Sequence, residues 1–351
     1  MDDSRREFLE DLLATSSPSG FERPAQRAWI DYVERFADEV RTDDYGNAVA
    51  VLEGEGPEIA FAGHADEIGY AVRRITDDGF LRLARLGGAD RTVSRGQHVT
   101  VHTDDGPVAG VIGQTAIHLR DGEDEAVDID EQYVDIGVES EEAAAELVDR
   151  GDPITVVQRV RDLAGDRIAA RGIDNRVGIW AAAEGFRRAA EHGVDGTLYA
   201  VSTVQEEVGL KGARMVGFDL APDAVVAVDV THATDSPETP GEKVTDVELG
   251  GGPAVARGTT NHPNLVDALR TVAADDDVSL QIEATGSRTG TDADAFYTAR
   301  GGIPSVNLGI PNRYMHTPVE VVDWADLEAT AELLGAFGAR AGSFAPFAVA
   351  F

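Results

Sequence analysis

Leu198-Tyr199-Ala200-Val201-Ser202-Thr203-Val204, followed by Gln205-Glu206-Glu207-Val208-Gly209, is the stretch on which the reading of this chain turns. The apolar run reads as a buried strand that ends abruptly in two adjacent carboxylates, and Gly209 lets the backbone turn. Neighbouring residues at a strand's end can aim at different targets, so one carboxylate can hold a cation while the other faces a bound water. A glycosidase pair fits poorly, because its carboxylates must flank a bond roughly 5–9 Å apart. On its own, Glu-Glu is a solvated turn. It gains weight because other apolar runs in the chain end in metal-capable residues.

Ile59-Ala60-Phe61-Ala62 delivers Gly63-His64-Ala65-Asp66-Glu67-Ile68-Gly69. His64 and Asp66 are two apart, so only one can point straight into a site. Asp66 is better placed to accept a hydrogen bond from the second imidazole nitrogen, as metal-bound histidines require. Ile168–Arg171 ends in Gly172-Ile173-Asp174-Asn175-Arg176, ahead of a helix marked by Val177, Trp180, Ala181, Glu184 and Phe186. Capping is the ordinary role for Asp174 there, and placing a carboxylate over the sheet edge is the alternative. Ala224–Val228 is wholly apolar, as in a buried parallel strand, and terminates in Asp229. Ser305–Leu308 leads to Asn312-Arg313-Tyr314-Met315-His316-Thr317-Pro318. His232 stands in a loop ending Pro237-Glu238-Thr239-Pro240-Gly241 and is left as a pocket wall.

The intervening segments supply the architecture. Helices are expected over Ser4–Ala14, after Pro24, and over His262–Ala274, Thr291–Ala299 and Trp324–Phe337. A hairpin is expected over Val40–Leu52 around Asp44-Tyr45-Gly46-Asn47, and short strands over Ala254–Ala256 and Leu280–Ala284. Between Tyr70 and Val160 the texture changes to short alternating strands: Tyr70–Ile75, Phe80–Leu86, His98–His102, Val108–Thr115 and Ile154–Val160. One helix is expected there, near Glu141–Arg150. The fold class is α/β, a mixed central sheet flanked by helices and carrying an inserted small β-rich domain. The catalytic domain is discontinuous, 1–68 and 162–351, with the insertion at 69–161. His98, His102, His118 and His262 have no carboxylate motif beside them and are assigned to structure.

Asp and Glu total 64 against 30 Lys and Arg, a formal net charge of −34, and Lys211 and Lys243 are the only lysines. Such a field repels nucleic acid and anionic membrane surfaces, so neither is an expected partner. It suits a protein kept soluble in concentrated salt, and a halophilic source is expected. Cysteine is absent, which removes disulfides and thiolates and leaves only histidine and carboxylates for a metal. No secretory leader or membrane-spanning run is read, so a cytoplasmic protein is expected.

His64, Asp174, Glu207, Asp229 and His316 all fall just beyond apolar strands. Open α/β sheets gather their sites at the carboxyl ends of strands, so distance in sequence is no obstacle. Two imidazoles with three carboxylates suit zinc or a similar ion and are too nitrogen-rich for a calcium cage. They suffice for two ions roughly 3.5–4 Å apart only if one carboxylate bridges and water completes the shell. Glu206 then takes a proton from metal-bound water as it attacks a carbonyl. Zinc and cobalt use the same ligand types, so the native ion stays open.

These residues also carry a resemblance. Gly63-His64-Ala65-Asp66-Glu67-Ile68-Gly69, Asp174-Asn175-Arg176, Gln205-Glu206-Glu207-Val208-Gly209, Asp229-Val230-Thr231, Gly290-Thr291-Asp292-Ala293 and Tyr314-Met315-His316-Thr317-Pro318-Val319-Glu320 resemble, in order and nearly end to end, the motifs of one family. It is the tetrahedral (TET) aminopeptidases, family 42 of the metallopeptidases, some members of which were once labelled endoglucanases. The resemblance implies two divalent ions per subunit (Zn2+ or Co2+) bridged by Asp174. His64 and Asp229 would complete one ion, and Glu207 and His316 the other. Glu206 would be the base and Asp66 the carboxylate behind His64. It further implies short peptides as substrates, dimers formed through the β-rich insertion, and a twelve-subunit homo-oligomer enclosing the active sites. At −34 per chain, that assembly is expected to depend strongly on salt. The nearest alternative is an amino-acid deacylase or carboxypeptidase of the same dinuclear fold, with Arg288 or Arg313 receiving a substrate carboxylate. A non-catalytic peptide-binding assembly would have no use for Glu206.

Overall fold

The computed structural model describes residues 3–120, 126–237 and 239–351; Glu238, in the loop after His232, and residues 121–125 of the insertion lie outside the described residues. Eight strands form one sheet in the order Glu39–Thr42, Ala48–Leu52, Thr197–Thr203, Glu58–His64, Ala224–His232, Ser305–Asn312, Ala254–Gly258, Gln281–Thr285. The middle four run parallel, and Ala48–Leu52 and Ala254–Gly258 flank them antiparallel. Parallel neighbours need crossover connections, and the helices provide them.

Strand alternation divides the core into two layers. Ala50, Ile59, Phe61, Leu198, Ala200 and Val226 face one way, under the helices Asp3–Ala14, Arg23–Val33, Ile173–His192, Pro263–Asp275 and Trp324–Arg340. Val49, Val51, Ala60, Ala62, Tyr199, Val201 and Val225 face the other, under Lys211–Leu220 and Asp292–Thr298. Trp29 and Trp180 are fully buried. Their indole N–H groups donate to the carbonyls of Ile179 (2.9 Å) and Arg5 (3.0 Å), so neither loses a hydrogen bond on burial. The glycine Gly63 lets the first turns of the Ile173–His192 helix sit directly on the strand end, because a Cβ there would lie 2.8 Å from the Gly178 backbone.

Six strands between Gly69 and Val156 close a separate antiparallel barrel in the order Gly69–Ile75, Leu81–Leu86, Tyr133–Asp135, Gly106–Ile112, His98–Thr103, Pro153–Val156. Its own core contains Val72, Leu81, Leu83, Val99, Val101, Val134 and Ile154. A third sheet joins Arg161–Asp162, Arg167–Ala170 and Glu320–Asp323.

Several elements differ from their sequence reading: the strands Tyr133–Asp135, Arg161–Asp162 and Glu320–Asp323 are not expected from local pattern, and the helix expected near Glu141–Arg150 spans only Glu141–Ala145. The Ile168–Arg171 run belongs to the small sheet, where Ala170 pairs with Glu320, and so approaches the parallel strands from outside. The strand through Asp229 does not stop there but runs on to His232. The helix Lys211–Leu220 was not read from the sequence, because Gly212 and Gly217 lower its intrinsic propensity. Packing demands both: a Cβ on Gly212 would lie 2.3 Å from Asn47 Oδ1, and one on Gly217 3.0 Å from Phe296. Among the described residues, no helix is long and apolar enough to cross a membrane.

Candidate metal centre

The parallel strands deliver their polar residues to one edge. His64 closes Glu58–His64, Glu206 and Glu207 follow Thr197–Thr203, Asp229 lies in Ala224–His232, and His316 follows Ser305–Asn312. Asp174 arrives from the small sheet at an irregular helix start, where Asp174 and Asn175 depart from helical dihedrals. Asn175 takes the capping role instead: its Oδ1 accepts the Gly178 N–H at 2.9 Å, and its Nδ2 donates to Val228 O at 2.8 Å. Asp174 is thereby released from the role that the sequence most simply suggested for it.

The side chains meet in two groups of three. His64, Asp174 and Asp229 offer ligand atoms within 4.8 Å of one another, and so do Asp174, Glu207 and His316. His64 Nε2 lies 3.2 Å from Asp174 Oδ1 and 3.7 Å from Asp229 Oδ1. His316 Nε2 lies 3.3 Å from Asp174 Oδ2 and 3.5 Å from Glu207 Oε1. Asp174 therefore turns one oxygen to each group. Glu206 stands beside the first group, with Oε2 4.0 Å from His64 Nε2.

Asp66 organises what surrounds them. His64 Nδ1 lies 3.1 Å from the Asp66 carbonyl and 3.3 Å from its carboxylate, which fixes the ring and turns Nε2 toward the cluster. The same carboxylate accepts the Glu206 N–H (2.9 Å), the Glu207 N–H (3.1 Å) and the Ser19 hydroxyl (2.6 Å). One buried side chain thus sets both the histidine and the adjacent glutamates.

The electrostatics follow from crowding carboxylates around two imidazoles. Burial, reinforced by the charges of Asp229, Asp292 and Glu207, pushes Glu206 up to about 10 against the pull of His64. Burial also raises Glu207 and Asp229. For His316 burial works the other way, but Asp174 and Glu207 outweigh it and push the imidazole up to about 11. His64 is likewise raised, by Asp174 and Asp229 against full burial. Asp174 is held low despite burial, because both imidazoles face it. Asp174 Oδ1 and Glu207 Oε1 are buried without a hydrogen-bond partner. An anion-rich cluster with unpartnered acceptors and two imidazoles is a donor set for divalent cations.

Residues outside the original set also matter. Asp292 is 2 % exposed, accepts the Thr203 hydroxyl at 2.5 Å and keeps Oδ1 unpartnered. Burial is the main cause that pushes it up to about 7. Beyond its place in the Gly290–Ala293 motif, local pattern gives it only the position after the N-cap Thr291, where an aspartate is unremarkable. Glu67 is buried against Arg171 and against Arg176, 3.1 Å away, tying the His64 loop to the Asp174 loop. The Arg171-to-Arg176 spacing around Asp174 was the available signal.

Most of the remaining histidines stay apart from the cluster. His98 and His102 belong to the barrel, where His102 Nε2 meets Thr155 Oγ1 at 2.8 Å; His118 lies in a short 3-10 turn, and His262 precedes the Pro263–Asp275 helix. His232 ends its strand with an exposed side chain, yet it lies within electrostatic reach of His316 and Asp174, and burial followed by the charge of His316 lowers its pKa. Arg313 makes a bidentate pair with Asp235 at 2.7 and 2.6 Å, so it is already committed, and Arg288 is exposed.

A mixed α/β sheet with an inserted barrel and a carboxylate–imidazole cluster at its parallel strand ends defines a metal-dependent hydrolase. Comparison with known proteins gives the particular kind. The family described as M42 glutamyl aminopeptidase matches residues 46–333, and the chain belongs to it. The lysyl aminopeptidase of Pyrococcus furiosus is 35% identical over 332 residues, 93% of this chain and 94% of the relative. The crystal structure of a TET aminopeptidase from a marine sediment Thaumarchaeota archaeon superposes with a TM-score of 0.90 at 32% identity, covering 96% of this chain and 97% of that one. The TET1 peptidase of Pyrococcus horikoshii, described as able to assemble into a tetrahedron or a large octahedral shell, gives 0.85 at 32% identity over 95% and 99%. This protein is an aminopeptidase, a hydrolase of peptide bonds.

Proposed function

We propose that the chain holds two divalent ions, zinc or cobalt, and with them releases N-terminal residues from short peptides. His64 and Asp229 serve one ion, Glu207 and His316 the other, and Asp174 serves both. The observation that carries this reading is the shared carboxylate: Asp174 Oδ1 lies 3.2 Å from one imidazole and Oδ2 3.3 Å from the other. Two ions bound there would polarise the scissile carbonyl and make a water acidic enough to attack near neutral pH.

The chain's own part is proton handling and orientation. Glu206 is 8 % exposed and belongs to neither triad; two cations bound beside it would bring its raised pKa down, leaving a carboxylate that could accept the attacking water's proton. It then returns that proton to the leaving nitrogen, which departs as a neutral amine. Asp66 keeps Glu206 aimed by gripping its N–H and holds His64 in the tautomer that presents Nε2. With Arg313 committed to Asp235, only Arg288 of the two candidate arginines is left to receive the substrate carboxylate that a deacylase or carboxypeptidase needs.

We further infer that the subunits form dimers that build a dodecamer, in line with a TET1 structure described as a dodecamer, and that high salt supports it by screening the net charge of −34. Relatives described as lysyl and as glutamyl aminopeptidases frame the substrate question without choosing between basic and acidic residues. A panel of aminoacyl-para-nitroanilides in high salt, with zinc- and cobalt-loaded protein, tests the reading. Cleavage of free-amine substrates is expected, and in Glu206→Gln it should fall about 10²–10⁴-fold with metal content unchanged. Silence on free amines with turnover of N-acyl amino acids would contradict it.

A further inference from the structure

We propose that Glu320 is the positioning residue that builds the outer half of the site, the half formed by Asp174, Glu207 and His316. Its side chain is buried, at 1 % exposure, on the short strand Glu320–Asp323. Oε2 accepts the Asp174 N–H at 3.0 Å, and Oε1 accepts the His316 N–H at 2.9 Å. One carboxylate therefore joins the backbones of two cluster residues that come from different sheets. The same device operates on the opposite side, where the two oxygens of Asp66 accept the Glu206 and Glu207 N–H groups.

The local backbone explains why His316 needs such a grip. His316 and Tyr314 both have left-handed dihedrals, φ 65 and φ 64, which residues with a Cβ adopt reluctantly. Their turn is closed by paired backbone bonds between Arg313 and Val321, at 3.0 and 3.1 Å. Within that closure, the Glu320 carboxylate holds His316 in the conformation that carries its imidazole to Asp174. Asp174 lies in the irregular start of its helix and is held by the other oxygen. Only a carboxylate of this length can accept at both ends. Glutamine would turn an amide donor toward one of the N–H groups, and aspartate is a methylene short. The inner half shares only Asp174 of the two residues that Glu320 holds, and His64 and Asp229 stand on strands of the main sheet, so it depends on Glu320 less.

This inference rests on the two-ion reading, and its test separates the two. Metal-stripped wild type, Glu320→Gln and Glu320→Ala are titrated with cobalt(II) in high salt and followed by visible absorption. Folding is checked by circular dichroism and thermal melting in chelator. Wild type is expected to take up two ions in two steps. In Glu320→Gln the weaker step should shift by about 10–100-fold, the range for partners that orient ligands, while the tighter step stays within about threefold. Glu320→Ala should shift the weaker step further; if that variant does not fold, Glu320→Gln carries the test alone. Two unchanged steps in Glu320→Gln, or two steps weakened equally, would overturn the role given to Glu320. A wild type that takes up a single ion would overturn the two-ion reading itself.

Discussion

The two halves of the centre share Asp174 and otherwise contrast. In the inner half the histidine side chain is 2 % exposed and both partner carboxylates are 8 % exposed. Two of its three residues stand on neighbouring strands of the main sheet. In the outer half His316 is 34 % exposed and comes from a turn with left-handed residues, and Glu207 comes from the turn after its strand. Strands fix ligand geometry through many ladder bonds, whereas turns rely on a few side-chain grips. The inner half should therefore hold its ion more tightly, and the outer half should be the one open to exchange and to substrate.

The largest effects should come from breaking that asymmetry. His64→Ala is expected to abolish peptide hydrolysis and to leave less than one tightly held ion after dialysis. His316→Ala should keep the inner ion and weaken the outer one by more than the roughly 10–100-fold typical of a lost orienting partner. Metal analysis after dialysis, with activity measured against added cobalt, distinguishes the two variants. Equal metal loss in both would show that the halves are equivalent.

A smaller effect should appear in stability against pH once metal is removed. Asp292 is raised to about 7 in the fold, whereas an unfolded aspartate ionises near 4. A raised carboxyl contributes stability that is complete below the unfolded value and lost as pH rises through the folded one. Glu206, Glu207, Asp229, His64 and His316 are raised too, so their contributions carry the same sign. The melting temperature in chelator and high salt should thus fall between pH 5 and pH 8, and Asp292→Asn should flatten that fall. The stabilisation added by metal should grow over the same interval, because binding displaces protons. Parallel melting curves for wild type and Asp292→Asn would remove Asp292 from this account.

The same contrast governs what could be read from the chain. His64, Glu206, Glu207 and Asp229 were legible because each follows or interrupts an apolar run, and parallel strands place such positions at one edge. His316 was legible as a histidine between an aromatic turn and a proline, but the left-handed backbone that aims it was not. Asp174 had two local readings, and only the fold shows Asn175 taking the cap. The pairing of Ala170 with Glu320 links residues far apart along the chain, so neither the small sheet nor the grip of Glu320 on Asp174 follows from local pattern. Glu67 and Asp292 stand inside motifs of the resemblance, but their contacts do not show there, because their partners Arg171, Arg176 and Thr203 are distant in sequence. The helix at Lys211–Leu220 was obscured by glycines whose purpose is contact rather than flexibility.

If Asp174 serves both ions, its loss should empty both halves. The most direct measurement is metal content per chain, by elemental analysis after loading and dialysis, for wild type and Asp174→Ala shown to be folded by circular dichroism. Two ions are expected in wild type, with loss from both halves and of activity in Asp174→Ala. One ion in wild type, or an Asp174→Ala variant that still keeps a full inner ion, would contradict it.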